Sequence, residues 1–465
     1  MKNQYNLISR SEVDEMTNEK IFKLIDSYRD EMEAVLSYME DHAACGYEEW
    51  EAHEYLAQAY KKLGYTLTMA DNIPGFYTDI DTGRPGPKVL IFSELDGLPI
   101  PDHPHANPRT GAAHACGHHA QCAALWGVAA ALKVPSVLEG LSGSIRLCVV
   151  PAEEGSGVKS SSIKKLMEND VVRYLGGKRE FYRRGYFDGC DLAFMIHTGG
   201  GSHKFSIKPG CNGGIRKVAR FVGKNAHAGA PRHGINALQA ANLALSSINV
   251  LRDTFNNYDF IRVNSILTEA GTAVNAVPGV AVLDTQIRAN NVKALNAVNN
   301  KINRAIAASA AAIGAKVQIT DVPGYMPGDF DKNLIDVMLD GMADVVGKEN
   351  AKFICEPWDT GCTDMGDISL LMPAVHAFGS GSAGAAHGPT YHIADFDSAC
   401  MDSAKAQVMT IRRLLEHDAE KARLIIQNAT PQFASKEEFL AYLDSQFSDK
   451  EAVIYEENGK ITLDI

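Results

Sequence analysis

The 465-residue chain contains no apolar run near the roughly 18–20 residues that a membrane span needs, which argues against a spanning helix. It also lacks a basic excess. Lys and Arg number 45 against 57 Asp and Glu, a formal net charge of −12. A general nucleic-acid binder needs a net basic surface, so this class is disfavoured. The nine cysteines form no Cys-x-x-Cys pair and are odd in number. That usage suits a reduced, cytoplasmic chain better than a disulfide framework. The start, Met1 to Asn6, is too polar for a secretory signal. No tandem repeat or low-complexity tract is present. The Gly-rich stretch Gly379–Gly384 lacks the Gly-Lys-Ser/Thr ending of a phosphate-binding loop. A soluble globular enzyme is the expectation that remains.

Apolar periodicity organises the rest. Ile21, Leu24, Ile25, Tyr28, Met32, Val35 and Leu36 recur at helical spacing, and a second helix is expected from about Glu48 to Leu63, closed by Gly64. Short β-branched runs follow at Val89–Phe92, Ile145–Val150 and Leu192–Ile196, with a small-residue helix near Ala120–Leu132 between the first two. Strands alternating with helices imply an α/β layer with a mainly parallel sheet. From about Gly213 to Pro323 the order becomes β-α-β-β-α-β, a ferredoxin-like unit read as an insertion. The expected division is a catalytic domain over 1–212 and 326–420, an inserted lid over 213–325 and a C-terminal extension over 421–465. The tail is expected to close a hairpin around Asn458-Gly459.

Polar clusters follow each apolar run, where α/β sheets gather ligands. The densest is His114-Ala-Cys116-Gly117-His118-His119, with His103 and His105 just upstream. Thiolate and imidazole suit borderline metals, and Gly117 lets two side chains turn to one site. A polar loop with a buried structural cysteine, or a nucleophilic Cys116, remains open on these residues alone. Glu153-Glu154 follows the second strand; one carboxylate can bind a metal while its neighbour moves a proton. His197 closes the third run, and His387 follows the Gly-rich stretch. A lone histidine in either place is as compatible with a packed core or a loop.

Together these motifs resemble the dinuclear metal aminoacylase and glutamate carboxypeptidase family. The nearest branch holds indole-acetyl-amino-acid amidohydrolases, hippurate hydrolases and p-aminobenzoyl-glutamate hydrolases. The resemblance covers about residues 35–415, and its pieces run in the family's order: Gly46–Glu49, Glu94–Ile100, His114–His118, Glu153-Glu154, Asn225–Pro231 and Val274–Pro278. It implies hydrolysis of the amide bond of N-acyl or aminobenzoyl amino acids by a Glu-activated, metal-bound water. Cys116, His118, Glu154, His197 and His387 would hold two divalent ions, zinc first, with manganese or cobalt as alternatives. Glu153 would be the general base and Asp96 would orient a ligand. His227 would stabilise the oxyanion from the lid, across a homodimer interface. Asn275 and Arg288 would bind the substrate's polar end. Gly361–Asp367 has the flavour of the aminobenzoyl-glutamate and β-alanyl dipeptide side of the family, so Asp364 or Asp367 would meet a charged amine or else cap a helix. His119 and Gln121 depart from the branch's usual Asp and His, and bear on the tuning of the ligands. A dipeptidase with the same machinery, a cysteine-nucleophile hydrolase and a non-catalytic binding protein are the competing readings.

Overall fold

A computed structural model describes residues 16–155 and 161–465 of the chain, without the side chains of 161–164. The polar start, Met1 to Asn6, therefore lies outside the described residues. Among those residues, no helix is long and apolar enough to cross a membrane.

An eight-stranded sheet forms the larger core. Its four central strands, in the order Ser144–Val150, Lys88–Glu94, Leu192–Thr198 and Ala374–Gly379, are mutually parallel. Shorter strands flank them: Phe76–Asp81 pairs antiparallel on one side and Phe205–Ile207 on the other. The central strands are buried along nearly their whole length, as continuous apolar runs predict when helices cover both faces. The helix His118–Leu132 is buried at every residue. Its small side chains permit this: a Cβ on Gly127 would lie 2.7 Å from the Met32 sulfur. The helix Ser403–Asn428, expected over Ala404–Leu424, is interrupted by non-helical backbone at Glu416–Ala419.

The inserted segment folds as the ferredoxin-like unit. Its antiparallel sheet runs Arg262–Glu269, Val280–Ala289, Gly213–Val222 and Lys316–Pro323. The helices Ala237–Leu251 and Val292–Ile313 pack on it to make a separate hydrophobic core. Strand burial alternates along Gly213–Val222 and Val280–Ala289, the period-2 pattern of a sheet covered on one face.

The tail does not remain a separate appendage. Ser448–Glu451 adds a fifth strand to the lid sheet, antiparallel to Lys316–Pro323, and Val453–Tyr455 pairs with Ile461–Leu463 as the expected hairpin. Just before it, the helix Lys436–Ser445 buries Phe439 and Leu443 in a small core with Tyr174, Met326 and Leu370. Asp444 accepts hydrogen bonds from Tyr174 Oη (2.9 Å) and Arg173 Nε (3.1 Å), while Asn296 of the lid donates to Tyr442 Oη (3.2 Å). The tail thus ties the lid to the Arg173-Tyr174 segment of the larger domain.

Candidate active site

The expected ligands sit at or beyond the carboxyl ends of the central strands. Lys88–Glu94 ends on Glu94 and leads to Asp96. Ser144–Val150 leads to Glu153-Glu154, and Leu192–Thr198 carries His197 as its penultimate residue. His387 lies in the loop after Ala374–Gly379, its amide donating to the Ala115 carbonyl (2.8 Å), which joins that loop to the cysteine loop.

Gly117 sits between Cys116 and His118 at φ +108°, where an added Cβ would meet the Thr198 carbonyl oxygen at 2.6 Å. Only glycine allows this turn and this close approach. It lets the sulfur of Cys116 lie 3.4 Å from His197 Nε2 while His118 enters the helix that follows.

Asp96 organises the centre. Its carboxylate accepts from the amides of Glu153 (3.0 Å) and Glu154 (2.8 Å). Its carbonyl meets His118 Nδ1 at 2.8 Å, and its Oδ1 lies 3.3 Å from the same nitrogen. This leaves His118 Nε2 free to face the cluster, the usual way a partner fixes the orientation of a ligating histidine. Glu49, fully buried, accepts from the amide of Ala152, which has φ +55°. Tyr325, at the joint between lid and catalytic domain, donates its hydroxyl to the Glu153 carbonyl. The Glu153-Glu154 turn is therefore braced from three sides.

Three donor groups result. Cys116, His118 and His197 form one; Cys116, Glu154 and His387 form a second; Glu94, His118 and Glu153 form a third. In each, the donor atoms lie within 4.8 Å of one another. Cys116 belongs to the first two, which together contain the five expected ligands. The buried atoms His118 Nε2 and His197 Nδ1 have no hydrogen-bond partner. Buried polar atoms left in this way point to a missing partner.

The electrostatics agree. Burial should suppress charge on His118, yet Glu94, Cys116 and Asp96 hold it well above its ordinary value. Burial opposes ionisation of Glu154, but the His387 hydrogen bond and the His118 charge outweigh it and hold that carboxyl low. Burial and the His118 charge press His197 down to about 4. Burial, then Glu94, Asp364 and Glu154, push Glu153 well above the carboxylate range. A site that favours the charged form of an interior imidazole is short of positive charge, and two divalent ions fit the donors present.

Other expected site residues fall elsewhere. Asp364 is fully buried, and one oxygen lies 2.5 Å from Lys178 Nζ. It therefore neither faces open solvent to meet a substrate amine nor caps the helix Met365–Ser369 through its side chain. His119 is buried and stacks on His114 at 5.0 Å between ring centroids, outside the donor groups. His227 and Asn275 are exposed neighbours on a small two-stranded arm of the lid, linked by the Ala228 amide to the Asn275 carbonyl (2.9 Å). Within one chain, neither belongs to the donor groups. Arg288 reaches from the lid to the Thr360 carbonyl (3.1 Å), beside Cys362.

Sequence reasoning missed Glu94, Lys178, Glu49 and Tyr325 as working parts. Glu94 carried the same signal as Glu153, an acid closing a buried strand. Lys178 carried none, since nothing local distinguishes Gly177-Lys178-Arg179 from a surface turn.

A parallel α/β sheet with an inserted lid, and clustered thiol, imidazole and carboxylate donors at its strand ends, define a two-domain protein built around a metal-binding centre. Residues 90–416 match the family model described as peptidase family M20/M25/M40, and the chain belongs to that family. It is 28% identical over 316 residues to a Xaa-Arg dipeptidase of Mus musculus, covering 63% of this chain and 62% of that protein. It is 30% identical over 261 residues to an indole-3-acetyl-aspartic acid hydrolase of Enterobacter agglomerans, covering 53% and 54%. The matches thus span between half and two thirds of these relatives. The crystal structure of the Bacillus subtilis YXEP protein, described as a dinuclear metal binding peptidase from the M20 family, superposes with a TM-score of 0.65. It is 18% identical and covers 83% of this chain and 98% of that one, a likeness of fold.

Proposed function

We propose that the chain hydrolyses the amide bond of N-acyl or aminobenzoyl amino acids, with Glu153 as general base. The observation that carries this reading is the isolation of Glu153. Glu94 and Asp364 are paired with Lys178, and Glu154 with His387; the one ion-pair contact described for Glu153 is His118 Nε2 at 3.8 Å. A carboxylate with no lysine or arginine partner, in the third donor group and next to the five expected ligands, is suited to take a proton from attacking water and pass it to the leaving amine.

Cys116, His118, Glu154, His197 and His387 would hold two divalent ions, zinc by ligand preference with manganese or cobalt as alternatives. Bound there, the ions would supply Lewis acidity at the scissile carbonyl and lower the pKa of a water. Asp96 holds His118 and the Glu153-Glu154 backbone in register. Arg288 would receive the carboxylate end of a substrate, turning from the Thr360 carbonyl it meets here. Asp364, taken by Lys178, is not available to a free amino terminus, which favours an N-acylated substrate over an unblocked dipeptide.

The lid is proposed to pair with a second copy. The tail strand covers one edge of its sheet, leaving Arg262–Glu269 as the open edge. That edge exposes Ile266 and Leu267, and the adjoining helix exposes Leu243 and Val250. An open edge with apolar side chains invites strand pairing. Such a dimer would bring the partner's lid arm, with its oxyanion-stabilising histidine, to this site. A reducing compartment, the cytoplasm, suits nine free cysteines.

A panel of N-acyl amino acids, p-aminobenzoyl-glutamate and dipeptides, assayed with zinc, manganese and cobalt, tests the reading. Turnover of acylated substrates, abolished by chelator and by E153A with ions retained, is expected. Turnover restricted to unblocked dipeptides, or full activity in E153A, would overturn it.

A further inference from the structure

A lysine and an arginine, adjacent and both buried, stand in the short helix Gly177–Arg183, and the mechanism above uses neither. Lys178 is wholly inaccessible. Its Nζ lies 2.5 Å from Glu94 Oε1 and 2.5 Å from Asp364 Oδ1, and its amide donates to Asp364 Oδ2 at 3.0 Å. The second oxygen of Glu94 accepts from Gln121 Nε2 at 2.9 Å and faces His118 Nε2 at 3.3 Å. Arg179 turns the other way. It pairs with Asp367 (2.7 Å) and donates to the carbonyls of Pro323 (3.4 Å) and Gly324 at the lid joint. One helical turn thus grips both the site's carboxylates and the hinge.

We propose that Lys178 is a positioning residue: its ammonium clamps Glu94 and Asp364 behind His118 and keeps Glu94 from acting as an extra metal ligand. This rests on the two-ion reading given above. Even with Lys178 on its other oxygen, Glu94 stands in a donor group with His118 and Glu153, so only a small movement separates it from a coordinating position. His118 belongs to that group and to an expected ligand set, so an unrestrained Glu94 would compete for the same ion and draw Glu153 with it. A lysine is a compact point charge with three donors, able to serve two carboxylates at once. Gln121 completes the restraint on the other oxygen. It stands where related chains were expected to carry histidine, and here its amide takes up Glu94 rather than an ion.

The test uses the full-length chain loaded with Co(II), whose visible absorption reports ligand number and type. K178M is expected to lower kcat about tenfold or more, within the range typical for residues that hold metal ligands, with KM changed less than about threefold. Its Co(II) spectrum should shift as Glu94 enters the coordination sphere. K178Q, which keeps the reach without the charge, should move both readouts in the same direction. K178M/E94Q should return the wild-type spectrum, because the carboxylate that faces His118 is gone and Asp364, though released, lies outside the three donor groups. A folded K178M or K178Q with wild-type spectrum and kcat overturns the proposal. If both single variants fail to fold, a folded K178M/E94Q with the wild-type spectrum supports charge release, and an unfolded one overturns the proposal in favour of packing. A wild-type chain that binds no Co(II) overturns the two-ion reading itself, a result distinct from any difference among the variants.

Discussion

Replacing Asp96 with Asn should dismantle the centre without touching a ligand. Asp96 accepts from two backbone amides, Glu153 at 3.0 Å and Glu154 at 2.8 Å, and faces His118 Nδ1 at 3.3 Å. It is buried, so no water replaces a lost partner. Asparagine keeps one acceptor oxygen and turns an NH2 group toward the second amide. One hydrogen bond to a charged acceptor is therefore lost, about 1.5–3 kcal/mol. If the whole of it is felt by Glu154 and His118, ion affinity falls roughly ten- to a hundredfold, since ~1.4 kcal/mol is tenfold. That interval coincides with the roughly 10–100-fold cost typical when the partner of a metal ligand is removed. Calorimetric titration of the apo chain with Zn(II), run beside steady-state kinetics, measures both. D96N binding within about threefold of wild type, with kcat unchanged, would refute the assignment of Asp96 as the organising residue.

Acid should destabilise the fold through histidines held neutral. Burial and nearby histidines depress His376 and His119 to about 3, so from pH 6.5 downward the unfolded chain takes up protons that these side chains refuse. Stability then falls by up to about 1.4 kcal/mol per pH unit for each, until the folded pKa is reached. Urea unfolding at pH 7 and pH 5 should show that slope, and H376F should flatten it by close to one proton. Phe439, fully buried where the tail helix meets the catalytic domain, should cost about 3–5 kcal/mol on truncation to Ala, read by urea denaturation. E153A and H227A homodimers should both be inactive, whereas co-expressed heterodimers should regain activity if His227 acts on its partner's site. Folded heterodimers without activity would place the oxyanion contact within one chain.

Periodicity made both sheets legible, because each strand had to bury either one face or two. The parallel strands read as continuous apolar runs, and the lid strands read as alternation. The acids and histidines at strand ends stood out because polar chemistry so close to a buried strand needs a reason. Asp364 shows the limit. Its surroundings looked like a loop-to-helix junction, whereas its partner, Lys178, lies 186 residues earlier in the chain. Buried ion pairs between distant segments leave no local pattern, and burial of a lysine runs against its general tendency. The tail hairpin was legible, but the strand that docks the tail on the lid was opaque for the same reason, a distant partner. Ser448–Glu451 is too short and polar to announce a strand, and it becomes one only because Lys316–Pro323 presents an unpaired edge.

The sequence by itself determined the class of sheet and the inserted lid, and it offered most of the thiol, imidazole and carboxylate donors, Glu94 excepted, since these follow from local periodicity and side-chain chemistry. Tertiary structure decided which carboxylate is free. Glu94, Glu153, Glu154 and Asp364 are all carboxylates in the sequence, and only their placement pairs the others with Lys178 or His387 and leaves Glu153 with the more distant His118 contact at 3.8 Å. In a desolvated interior that difference in partners, rather than residue type, sets which group can carry a proton.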